Sequence, residues 1–158
     1  MAAVALAILA FVVMEPVAYL VHRFVMHGPA ARVHLSHHRS ERNGWQANDL
    51  FPIVFASIVM VAMTLGYQVD RFWALVPIGV GITLYGVAYA FVHDVYVHRR
   101  LPLVRRRVAV LEHLAEAHRA HHRDSGEPYG MLLPLTRSGR RAAVGEPLQR
   151  VPPIPGAR

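Results

Sequence analysis

An all-α, multi-pass membrane helical bundle, with about three spans and one cytoplasmic amphipathic helix, is the fold this sequence predicts. Three observations predict it. Hydrophobic residues make up 54% of the chain against 17% charged, a balance too apolar for an ordinary soluble domain. The apolar residues fall in three long stretches. The basic residues, all of them Arg, gather almost entirely to one side of those stretches.

The first stretch runs over 2–25, interrupted only by Glu15-Pro16 and His22-Arg23. It has no basic start and no clear cleavage site, so it reads as a retained span rather than a signal peptide. The second, 51–67, is about the minimum for a bilayer crossing. The third, 72–92, carries no charge, and at about 1.5 Å per residue it reaches roughly 31 Å, matching a hydrocarbon core of about 30 Å. With three spans, the segment 23–50 and everything after His98 share one side, and the short connection 68–71 lies on the other. Of the 17 basic residues only Arg71 falls on that second side. The positive-inside bias then places the Arg-rich side in the cytoplasm, the N-terminus outside and the chain in the inner (cytoplasmic) membrane. Residues 104–123 read as the amphipathic helix, with Leu111, Leu114 and Ala115 as its apolar contacts. The embedded domain covers 1–136. Residues 137–158, rich in Arg, Pro and Gly and without apolar periodicity, read as a flexible tail.

The net charge of +7 would suit a nucleic acid, but the basic residues have no aromatic interleaving. A lipid surface accounts for them better. The chain contains no Cys, which excludes disulfides, Fe–S clusters, thiol-attached haem and thiolate zinc sites.

The 11 His are the composition's oddity. Imidazole is the commonest metal ligand among side chains, and these His are dispersed and internal, unlike a tag. His22 and His27 form an H-x4-H, and His34, His37 and His38 an H-x2-HH. His93 and His98 repeat the first pattern, and His118, His121 and His122 repeat the second. All of them, with His113, fall at or beyond the span ends on the Arg-rich side. On a helix, positions i, i+3 and i+4 lie within about 100° of one another, so an H-x2-HH can direct imidazoles at a site. An H-x4-H pair is separated by about 140° on an α-helix. Both pairs lie just before a helix-breaking Pro, at Gly28-Pro29 and Leu101-Pro102, so a frayed last turn is expected to swing the second His inward. His113 points away from the other three of its helix and is left out. Ten imidazoles exceed what one metal takes, and a structural zinc site closes with four ligands. A reactive centre of two first-row metals is expected.

Three acids could support such a centre. Glu15 lies mid-span, where an ionisable residue is costly. It could accept a hydrogen bond from a ligand imidazole, or be a protonated carboxyl bonded to a Tyr such as Tyr19. Asp94 and Asp49 could orient imidazoles in the same way, although Asp49 with Asn48 could instead cap the second span. Gly79 and Gly86 share a face of the third span, for close helix approach more than for substrate passage. The run Arg105-Arg106-Arg107 reads as a headgroup anchor, with docking of an acidic electron donor as the alternative.

From Glu15 to Leu133 the motifs HRFVMHG, HLSHHRSERNGWQANDLF, GITLYGVAYAFVHDVYVHRRLP, AHRAHH and EPYGMLLP resemble those of the bacterial β-carotene hydroxylases, histidine-motif di-iron enzymes of the fatty acid hydroxylase superfamily. The resemblance implies two iron ions held by the ten motif His, with zinc able to replace iron in a purified sample. It implies O2 as co-substrate, a carotenoid substrate drawn from the bilayer, and electrons from a ferredoxin-type or similar donor. The implied reaction is hydroxylation at C3 of β-ionone rings, from β-carotene through β-cryptoxanthin to zeaxanthin. A ketolase, a desaturase or a lipid hydroxylase is the alternative among enzymes, and a membrane metal-binding protein the alternative outside them. The sequence departs from the family at Val95-Tyr96 and over 103–112.

Overall fold

The computed structural model describes residues 1–38, 44–101, 103, 104 and 106–133, and among these every regular element is helical. The expected tail 137–158, its boundary at 136 and Arg105 lie outside the described residues. Helix α1 (Ala2–Leu20) continues into a π-helical turn, Val21–Met26. Helix α2 (Ala31–His38) follows. A 3₁₀ turn, Ala47–Asp49, leads into α3 (Leu50–Gln68). Helix α4 (Leu75–Ala90) continues into a second π-helical turn, Phe91–Val97, and α5 (Ala109–Asp124) is the last helix among the described residues.

Three continuous helices, Ala2–Met26, Ala47–Gln68 and Leu75–Val97, are long and apolar enough to cross a membrane. Val4, Ile8 and Val12 on α1, Ile58 and Val61 on α3, and Val87 on α4 stand exposed, which suits lipid and not water. The second and third spans run a few residues past their expected ends at 51 and 92. The 3₁₀ and π turns extend them with polar residues that hydropathy alone does not count.

Helix α4 is the central span, packed on α1 and on α3. Two glycines on opposite sides of it make that possible. A Cβ at Gly81 would collide with the Ala7 carbonyl of α1, and one at Gly79 would collide with the Met63 side chain of α3. The expectation that Gly86 also serves packing is corrected, because a Cβ there would meet nothing within 4 Å among the described residues. Gly81 has the packing role instead, on the α1 side.

The amphipathic helix starts at 109, not 104. Val108 is extended, and the Tyr96 hydroxyl accepts its N–H at 2.9 Å while donating to Glu112 Oε1 at 2.8 Å. Tyr96, one of the residues that depart from the family pattern, thus docks the start of α5 on the second π turn. Leu114 and Ala115 are buried, and Leu111 packs against the cluster of Val92, Leu114 and Met131. That cluster joins the end of the third span, α5 and the segment after α5, directly beside the histidines.

Candidate metal centre

The C-terminal ends of the first and third spans and the N-terminal end of the second meet α2 and α5 at one end of the bundle, and the motif histidines converge there. The H-x4-H pairs reach the site by a route different from the expected fraying. His27 N–H donates to the His22 carbonyl at 3.0 Å, and His98 N–H to the His93 carbonyl at 2.9 Å. This fifth-neighbour hydrogen bonding defines a π-helix. It winds positions i and i+5 back over one another, so the two rings lie 5.2 Å apart in the first pair and 4.6 Å apart in the second. The motif spacing that fits an α-helix poorly fits a π turn well.

Two groups of donors result. His22, His27, His34, His38 and His121 form one, and His37, His93, His98 and His118 the other, each with one nitrogen per ring within 4.8 Å of the rest. Each H-x2-HH motif is divided between them. His34 and His38, four apart on α2, face the first group while His37 faces the second. On α5, His121 joins the first and His118 the second. His122 belongs to neither donor set and lies between them, stacked on His38 at 4.2 Å and 4.8 Å from His98. His113 is exposed on α5, away from both groups.

The outer nitrogens decide what the inner ones can do. His22 Nδ1 lies 2.9 Å from the Tyr129 carbonyl and His121 Nδ1 2.5 Å from the Gly126 carbonyl. His93 Nδ1 lies 3.2 Å from Asp94 Oδ1. These oxygens only accept, so each Nδ1 carries the proton and each neutral ring keeps its lone pair on Nε2. His34 and His37 are held alike by Asn48 Oδ1 and Gln46 Oε1, each at 2.8 Å. Yet His22 Nε2 faces His34 Nε2 at 3.0 Å, and His37 Nε2 faces His93 Nε2 at 2.9 Å. Lone pair meets lone pair across these gaps, an arrangement that a shared cation relieves. Two nitrogens at right angles on one metal, each bonded at about 2.1 Å, would lie about 3.0 Å apart. Among the described residues, the buried His38 Nδ1 and His122 Nε2 meet no hydrogen-bond partner. The donor set therefore fits a pair of metal ions.

The acids are sorted by these contacts. Asp94 lies beside His93 Nδ1, where an acid that orients this imidazole would stand. Asp49 does not hold an imidazole: it accepts the Gln46 N–H at 3.0 Å, capping the second span, and pairs with Arg100 at 2.7 Å. Asn48, read as part of that cap, holds His34. Glu15 meets neither a ligand imidazole nor Tyr19. It accepts from Tyr85 and from three main-chain N–H groups, because the segment after α5 folds back along α1 to reach it. Gln46 and the carbonyls of Gly126 and Tyr129 were not singled out. The two side-chain amides just before the second span were a readable signal, and the carbonyls had none.

Burial, with repulsion from neighbouring rings, lowers His34 and His98 to about 3, His37 and His121 to about 4 and His122 to about 2. All are neutral and ready to bind metal near pH 7. An unfolded chain, with His near 6.5, takes up protons first as pH falls. Metal-free protein is therefore expected to keep its stability above pH about 6.5 and to lose it as pH drops toward these lower values. Melting temperatures of chelator-treated protein across that range check this, and a flat profile would contradict it.

The fatty acid hydroxylase family matches residues 7–136, a stretch that contains every motif histidine. The chain is 41% identical to the β-carotene hydroxylase of Pseudescherichia vulneris over 117 residues, 73% of this chain and 65% of that one. It is 39% identical to the β-carotene hydroxylase of Pantoea ananas, over 84% of this chain and 78% of that one. It is 36% identical to the chloroplastic β-carotene hydroxylase 1 of Capsicum annuum, where it spans 42% of the longer plant chain. No solved structure matches it.

Proposed function

The chain belongs to the fatty acid hydroxylase family, and on that premise we propose that it hydroxylates C3 of carotenoid β-ionone rings at a di-iron centre held by its motif histidines. His22, His27, His34, His38 and His121 would hold one iron and His37, His93, His98 and His118 the other, with His122 serving from between them. The single observation that carries the reading is a cleft of about 190 Å³ between α1, α3 and α4 whose lining includes His22 and His93. Its walls include Met14, Val17, Phe55, Tyr85, Gly86 and Tyr89. A ring delivered from the bilayer through this cleft would arrive beside both donor groups.

When bound, the two irons would activate O2 and insert one of its atoms into a ring C–H bond. The balance is one C–H, one O2, two electrons and two protons giving one C–OH and one water. The chain's own residues bind and orient. The apolar walls exclude water and grip the ring, and Tyr89 lies 5.4 Å from the His93 ring at a shallow angle, closing the cleft beside it. Asp94, Asn48 and Gln46, with the Tyr129 and Gly126 carbonyls, hold protons on the outer ring nitrogens so that the inner ones stay free. The electrons come from a separate ferredoxin-type donor, approaching from the cytoplasmic side of the inner membrane, where the Arg-rich end of the bundle faces. The names of the relatives support the substrate class.

Expression in a β-carotene-accumulating strain tests the reading. Zeaxanthin with transient β-cryptoxanthin is expected. Canthaxanthin would make the chain a ketolase, and unchanged β-carotene would overturn the reading.

A further inference from the structure

We infer that Glu15, buried inside the first span, is a positioning residue for one half of the metal centre only: it moors the strap 126–133, whose carbonyls hold His22 and His121. The inference rests on the two-metal reading above. After α5 the chain turns at Ser125, whose φ is 52°, and runs back along α1 in the opposite direction. Its contacts run from the first π turn down into α1. Glu127 meets Arg23 at 3.2 Å and Tyr19 at 3.3 Å, the Tyr129 carbonyl meets His22, and the N–H groups of Met131, Leu132 and Leu133 meet Glu15 at 3.0, 3.2 and 2.9 Å. The strap thereby passes from the polar end of the bundle into its apolar part.

Three main-chain N–H groups without regular secondary structure would be costly there. The Glu15 carboxylate accepts all three, and it also accepts the Tyr85 hydroxyl at 2.7 Å. This accounts for an acid at mid-span. Gly130 lets the two come together, since a Cβ there would lie 2.8 Å from Glu15 Oε1 and 2.6 Å from the Leu133 carbonyl oxygen. With the strap in place, the Tyr129 ring covers His22, His27 and His121 at 5.2 to 5.5 Å.

The second donor group touches the strap only through the apolar packing of Met131 on Val92 and Leu114; its outer nitrogens do not depend on it, because His37 and His93 are held by Gln46 and Asp94. Loss of the mooring should release the outer nitrogens of His22 and His121 alone. Losing such outer partners typically costs about 10- to 100-fold in metal affinity, so one metal should go and the other stay.

The test is metal content per chain of the full-length protein in detergent, loaded with iron(II) or zinc and dialysed against a competing chelator. About two metals are expected for the unaltered chain, and about one for Glu15→Leu and for Gly130→Val, which lifts the strap without changing the span. Glu15→Gln, which keeps an acceptor oxygen, should restore binding toward two. Two metals in both Glu15→Leu and Gly130→Val, or loss of both metals in both, would overturn the inference. An unaltered chain that binds none would instead overturn the two-metal reading beneath it.

Discussion

Replacing His121 with alanine is expected to lower hydroxylation by well over the roughly 100-fold that loss of a ligand's outer hydrogen bond costs, while His113→Ala leaves it unchanged. His121 is 0% exposed. Its Nδ1 is held by the Gly126 carbonyl and its Nε2 lies 3.1 Å from His27 Nε2, inside the first donor group. Alanine removes the inward nitrogen and leaves that carbonyl without its donor. His113 lies on the same helix within three turns, but on the exposed side. The pair therefore separates a ligand effect from any general effect of deleting an imidazole from α5. The zeaxanthin to β-carotene ratio, read with metal content on the purified chains, decides it. Equal loss in both variants, or none in either, would remove His121 from the site.

Gly86→Leu is expected to cut turnover by more than about tenfold with the metals retained. Among the described residues a Cβ at Gly86 has open space rather than a neighbour, and the residue lines the same cleft as His22 and His93. Leucine would grow into the volume the ring needs, without disturbing either donor group. Gly79→Leu makes the contrast. On the same face one helical repeat away, its side chain would be driven into Met63, overpacking a helix contact at a cost of about 1–3 kcal/mol. Activity losses corrected for the amount of folded protein distinguish blocked access from damaged packing. Full turnover in folded, metal-loaded Gly86→Leu would mean that the substrate reaches the centre by another route.

The parts of the site legible from sequence were those carried by side-chain type and spacing. The doubled H-x4-H and H-x2-HH pattern picks out ten histidines, nine of which fall in the two groups that could hold a metal, and helical angle alone sets His113 apart. Asp94 was legible because it adjoins the histidine it holds. Glu15 was noticed for being charged in an apolar span, but its partners lie as far as 118 residues along the chain and are main-chain N–H groups, which every residue has. For the H-x4-H pairs the misfit to an α-helix is legible, but the spacing suggests a frayed last turn where the chain is π-wound. Gly81 was passed over because nothing in its neighbourhood marks which helix it will meet.

Hydropathy, Arg asymmetry and histidine spacing are local sums, and by themselves they determined the three spans and the shared end on which the histidines gather, while the family resemblance rests on the residue identities of the longer motifs around them. Folding alone decided how those histidines divide. His37 and His38 are neighbours in sequence and serve different groups, because adjacent residues on a helix point about 100° apart and different spans wait in each direction. It also decided which nitrogen of each ring faces inward, since that depends on oxygens brought from Asn48, Gly126 and Tyr129 by packing that no local pattern encodes.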